Sequence, residues 1–197
     1  MIRRIRKILT MLASLFLVCG LVLQVSATTL VRMDLNALAH SAEIIVRARC
    51  IYSETKWESE TIWTFADFAV LEIFKGAPPQ ILRVRLPGGR MNHTEVRIEG
   101  VPIFTTGEEI VLFVEKTSAG DYGVTSWAQG TFRIRREKSG DAKLTQDTSH
   151  FAVFDPNTRQ FATVGVRNLP ITEFRVQLAS ALANPPTKSQ SSSGSKQ

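Results

Sequence analysis

The chain of 197 residues is 44% hydrophobic and 21% charged, and its 24 Lys and Arg against 18 Asp and Glu give a formal net charge of +6. An excess of that sign points towards nucleic acid, but its position argues otherwise: Arg3, Arg4, Arg6 and Lys7 stand together, and without them the balance is 20 to 18, a net of +2. Cys50 is the one cysteine beyond residue 27, which excludes a domain stapled by internal disulfides.

The four cations precede an almost uninterrupted apolar run, Ile8 to Val25, which ends in the small residues Ser26 and Ala27. Basic, apolar and small-residue regions in that order describe a secretory signal peptide over residues 1–27. A retained anchor helix is the alternative, and polar Thr28 and Thr29 directly afterwards favour cleavage. Cys19 follows Val18 rather than a small residue, which disfavours a lipid anchor there. The expected location is periplasmic or extracellular, which makes nucleic acid an unexpected ligand. No later run approaches the roughly 18 apolar residues of a membrane helix, so the mature chain is not expected to span a membrane.

Asp34 to Ala42 reads as a short helix, with Leu35, Leu38, Ala39 and Ala42 at helical spacing and Asp34 as its cap. Strands and turns follow to about Thr148. Glu43–Tyr52 alternates, with Ile44, Val46, Ala48, Cys50 and Tyr52 inward. Cys50 is therefore expected to be a buried structural thiol. Thr61–Phe74 exceeds the usual strand length, which predicts a bend or bulge. Ile81–Leu86 turns Leu82, Val84 and Leu86 inward and Arg83 and Arg85 outward, before a tight turn at Gly88-Gly89. His93–Glu99 is a weaker strand, and Ile110–Val114 is apolar throughout and expected to be covered on both faces. Tyr122–Trp127, Thr131–Glu137 and Ala142–Thr148 complete the set. A final helix carries Pro170 in its first turn and an Ile171, Phe174, Leu178, Ala181/Leu182 stripe. Residues 184–197, rich in Pro, Ser, Lys and Gln, are expected to be disordered. The expected fold is mainly β, an antiparallel barrel or sandwich over residues 28–183 with a short N-terminal and a C-terminal helix.

Little in this chain has the spacing of catalytic chemistry. His40, His93 and His150 lie far apart, and no metal-ligand set, nucleophile elbow or phosphate loop is present, so no cofactor and no enzyme activity are expected. Glu58/Glu60 and Glu108/Glu109 read as solvated pairs rather than two carboxylates across a cleft. Arg83 and Arg85 leave one strand, Arg133 and Arg135 another, and with Arg90, Arg97 and Arg136 they would form a basic surface if those strands paired. Trp57 and Trp63 flank the polar turn Glu58-Ser59-Glu60 and would suit a protein or sugar surface at a hairpin end.

Three stretches form a larger pattern: Ala42-Glu43-Ile44-Ile45-Val46-Arg47-Ala48-Arg49, then Phe68-Ala69-Val70-Leu71-Glu72-Ile73-Phe74-Lys75-Gly76, then Phe104-Thr105-Thr106-Gly107-Glu108-Glu109-Ile110-Val111-Leu112-Phe113. Over residues 42–130 this order resembles the netrin-type module of the tissue inhibitors of metalloproteinases. It is also similar to a group of exported bacterial proteins of unassigned activity with the same Lys-Gly and Gly-Gly punctuation. The resemblance implies a five-stranded oligonucleotide/oligosaccharide-binding (OB) barrel. The inhibitors hold a protease zinc through an N-terminal cysteine. Here the expected mature terminus is Thr28-Thr29-Leu30 and the sole cysteine faces inward, so no inhibitor residue is carried over.

The expected function is an exported, non-enzymatic binding module for a protein partner such as an exported metalloprotease, with Trp57, Trp63, Arg83, Arg85 and Arg90 as candidate contacts. The alternative is a cell-envelope glycan binder, and a hydrolase is the remaining possibility.

Overall fold

The structure, a computed structural model, describes residues 30–138, 140–148, 152–163 and 165–184. The expected signal peptide, Cys19, Thr28, His150 and all of the tail except Asn184 lie outside the described residues. Helix α1 (Leu35–Ser41) opens the described chain. Asp34 caps it by accepting a 2.7 Å bond from the Ala37 N–H, a contact typically worth about 1 kcal/mol.

The first barrel strands are β1 (Ile44–Glu58), β2 (Thr61–Lys75) and β3 (Ile81–Pro87). Strands β4 (Gly89–Met91) and β5 (Thr94–Val96) form a separate small hairpin. Strands β6 (Glu109–Lys116), β7 (Tyr122–Val124), β8 (Thr131–Arg136) and β9 (Ala142–Gln146) follow. Strands β10 (Val153–Asp155) and β11 (Gln160–Ala162) pair with each other, and β12 (Leu169–Pro170) leads into α2 (Ile171–Ala183).

The main sheet runs β1-β2-β3-β7-β6, and β6 pairs back onto β1, so five strands close into a barrel. The closing contact of β3 with β7 is parallel, at Val84 and Tyr122, while the other barrel pairs are antiparallel. That circular order makes a closed, mainly antiparallel barrel of five strands. A second wing continues from β6 through β8 and β9 to β12.

Long β1 and β2 bend as their length required, with register shifts at Ile45/Val46, Arg47/Ala48 and Cys50/Tyr52. The last shift corrects one expectation. Cys50 is fully buried, but Tyr52, two residues on, is 49% exposed because the irregularity breaks the alternation. Burial also pushes the Cys50 thiol pKa up, which keeps it a neutral packing group. The β1–β2 turn places Ser59 and Glu60 at φ 46° and 67°, the left-handed pair of a two-residue hairpin.

Two apolar cores share β6. Ile110, Leu112 and Val114 point into the barrel with Val46, Ala48, Phe68 and Leu82. Val111 and Phe113 point outward and are covered by Leu38, Phe132, Ile171, Phe174 and Leu178. The apolar run therefore has both faces buried, as its composition demanded. The expected weaker strand 93–99 is shorter than its pattern suggested: only Thr94–Val96 pairs, with β4, and Val96 and Ile98 are half-buried.

Candidate functional site

Residues 88–107 join β3 to β6 as a strap across one end of the barrel. Its course follows from its anchors. The Gly88 N–H donates to Ile62 O at 2.8 Å, and Gly88 and Gly89 take φ of 87° and 134°. A side chain on Gly89 would run into the Thr55 and Thr64 side chains, so this close crossing requires glycine. Farther on, Gly100 O accepts from Ala128 N at 2.9 Å, and Phe104 drops into the barrel edge-on to Phe68 at 5.0 Å. The Gly107 N–H closes the strap on Cys50 O at 2.8 Å.

Between the strap, the barrel end and β8–β9 lies a half-open cleft of about 1240 Å³, reaching from Thr55 and Leu86 to Thr145 and Asn168. Arg133 on β8 ties its walls together. Its guanidinium donates to Glu108, to Asp147 at 2.8 Å and to the strap carbonyl of Ile103 at 2.9 Å. Burial disfavours the charge on Arg133, but Asp147 and Glu108 outweigh it and hold the pKa above its ordinary value. Glu108 and Glu109 are thus structural partners rather than the solvated pair expected: Glu109 is only 10% exposed and gathers Arg47, Arg49 and Arg136.

The sequence-derived candidates do not converge on one site, and only Arg85 and Trp63 among them meet. Arg83 is held in a fork by Asp67 at 2.6 and 2.8 Å, and Arg85 bridges Asp121 at 2.9 Å and Glu58 at 3.0 Å. The Arg85 guanidinium also lies 3.9 Å from the Trp63 ring centre, covering one face of that ring. Trp57 pairs with Ile62 and Trp63 with Lys56, so the two tryptophans occupy adjacent positions of the ladder and opposite faces of the hairpin. Trp57 is 54% exposed. The basic surface expected from Arg83, Arg85, Arg133 and Arg135 does not assemble, because β3 neighbours β2 and β7 and never meets β8. Of the five candidate contacts Trp57, Trp63, Arg83, Arg85 and Arg90, Arg90 alone lines the cleft, where Arg97, Arg133 and Arg135 of the expected basic surface join it.

Paired charges on the outer faces set an acid limit. Hydrogen bonds from Arg83 to Asp67 and from Arg175 to Glu72 hold both carboxyls below their ordinary range. A depressed folded-state pKa gives stability that is complete above the unfolded value and is lost as pH falls through the folded one. Glu115 runs the other way, raised by burial and then by Glu43. The urea midpoint should therefore fall as pH drops below about 4, and the combined Asp67→Asn and Glu72→Gln variant should show a flatter acid limb. An identical acid limb in that variant would refute the assignment.

Among the described residues, no group of three His, Cys, Asp or Glu is placed to hold a metal ion, and no helix is long and apolar enough to cross a membrane. No family model matches the chain, and neither a curated protein nor a solved structure is found similar to it.

Proposed function

We propose that the chain is an exported, non-enzymatic binding module that takes a segment of a protein partner into the cleft beneath the strap. An exported protease is the partner class to which the netrin-type resemblance points. The observation supporting this reading is the construction of the cleft. A barrel end is roofed by an inserted segment that is fixed at both ends by backbone bonds and by the packing of Phe104 on Phe68. Its volume exceeds the roughly 300–1,000 Å³ of small-molecule pockets and its side is open, which suits a length of chain. A glycan fits less well: Phe104 is the one aromatic residue among the cleft-lining residues, and it is buried, so no ring is offered for a sugar to stack on.

The test is site-specific photocrosslinking in the exported fraction of the native host. A photoreactive phenylalanine replaces Ile103, 69% exposed on the cleft rim, or Val176, 71% exposed on α2. A discrete protein adduct should form from position 103 and not from position 176. Equal labelling from both positions, or none from 103, would reject the cleft as the seat of a partner.

A further inference from the structure

The arginines of this fold divide into two groups. Arg32, Arg47, Arg49, Arg83, Arg85, Arg133, Arg136 and Arg175 each have a carboxylate within 4 Å. Among the described residues, Arg90, Arg97, Arg135, Arg159 and Arg167 have no such ion pair, and all but Arg159 line the cleft. Those four come from separate places: Arg90 from β4, Arg97 from the strap after β5, Arg135 from β8 and Arg167 from the approach to β12. The fold fixes Arg167 on both sides. The Gln146 N–H donates to the Val166 carbonyl at 2.8 Å, and the Asn168 N–H donates to Thr145 Oγ1 at 3.2 Å.

We infer that the cleft recognises an extended acidic peptide segment, whose carboxylates complete the ion pairs that Arg90, Arg97, Arg135 and Arg167 lack. This rests on the reading of the cleft as a partner's seat and adds the chemistry of recognition. Guanidinium groups bind carboxylates in a planar fork, and charge-assisted bonds of that kind are the stronger polar contacts. The cleft also carries Glu95 and Glu99, which have no ion pair among the described residues. Carboxylates among the cations oppose a ligand with a negative charge at every unit and favour one whose charges are spaced by neutral residues. A nucleic-acid strand is uniformly charged and would also want stacking platforms, which the lining does not offer. Residues 1–29 and 185–197 contain no Asp or Glu, so neither stretch has the composition of such a segment.

The probe is a fluorescent synthetic peptide of repeating Glu-Ser-Val, titrated with the purified protein by anisotropy. Its counterpart of repeating Gln-Ser-Val and an oligothymidylate are the comparison ligands. The acidic peptide should bind about tenfold more tightly than the Gln peptide at low salt, and the preference should shrink as salt screens it. The combined Arg135→Gln and Arg167→Gln variant should lose about tenfold, while Arg83→Gln, already paired with Asp67, should stay within about twofold. Equal binding of the two peptides, an equal loss in Arg83→Gln, or tighter binding of oligothymidylate would overturn the inference. The position-103 crosslink separates the two readings. If the adduct persists undiminished in Arg135→Gln/Arg167→Gln, the partner reading stands and acidic recognition falls. If the unmodified cleft gives no adduct yet prefers the acidic peptide, the reverse holds.

Discussion

Replacing Phe174 by alanine should lower the stability of the protein by about 3–5 kcal/mol, the usual cost of deleting a fully buried aromatic side chain. Phe174 is 0% exposed and lies at the meeting point of the outer core, 5.4 Å from the Phe132 ring and 6.2 Å from Phe74. Phe132 in turn stands 5.5 Å from Phe113 on β6, so the ring of α2 closes a row of aromatics running from helix to central strand. The hole left by truncation is walled by rigid strands on one side and cannot collapse far. The loss is comparable to much of the roughly 5–15 kcal/mol that holds a typical domain folded. Urea unfolding should show a large drop in midpoint with little change in slope. Val176→Ala on the same helix, where the side chain is 71% exposed, should stay within about 0.5 kcal/mol. A Phe174→Ala loss under about 1 kcal/mol would mean that α2 does not seal this core.

The second large effect is expected at Arg133. Arg133→Met keeps the aliphatic stem but leaves Glu108 and Asp147, 20% and 19% exposed, without their shared cation, and removes the side-chain donor to the Ile103 carbonyl. Breaking a buried pair by removing one partner costs about 3–5 kcal/mol. The guanidinium here is 26% exposed, so about 2–3 kcal/mol is the expected loss. Because Arg133 is the side chain linking the strap to β8 and β9, the effect should also be local. Amide exchange at Val101 and Gly107 should accelerate more than exchange at Val111 in the core. Adding Glu108→Gln to Arg133→Met should recover part of the stability by removing one uncompensated charge. A double variant no more stable than the single would show that the cost is lost packing, not stranded charge.

These two residues mark how far the sequence could be read. Phe174 was legible: its spacing from Ile171, Leu178 and Ala181 is helical, and amphipathic periodicity reports burial directly. So was the double burial of β6, since a strand with no polar residue over Ile110–Val114 has no face to give to water. The strap was not legible. Its path is set by glycines and single backbone bonds, and its one three-residue pairing carries no periodic signal. The arginines misled for a related reason. Alternation shows that Arg83 and Arg85 leave β3 together, but whether a surface cation is free depends on which carboxylates the neighbouring strands bring opposite it. Asp67 meets Arg83 only through the β2–β3 register, and Asp121 reaches Arg85 from the turn that precedes β7. Arg97 and Arg167 are unpaired for the same long-range reason, and nothing local to either residue announces it.

Strand β6 serves as a party wall between the barrel and the helix-covered wing, and this limits how the molecule can be taken apart. Cutting the chain after Gly130 would keep all five barrel strands yet strip the cover from Val111 and Phe113, turning a finished barrel into one with a sticky outer stave. The wing alone would lack the strand on which β8 is templated. Neither half is a transplantable part. Any attempt to borrow the cleft for another scaffold must carry both rooms of the house, because the cleft's walls are drawn from each.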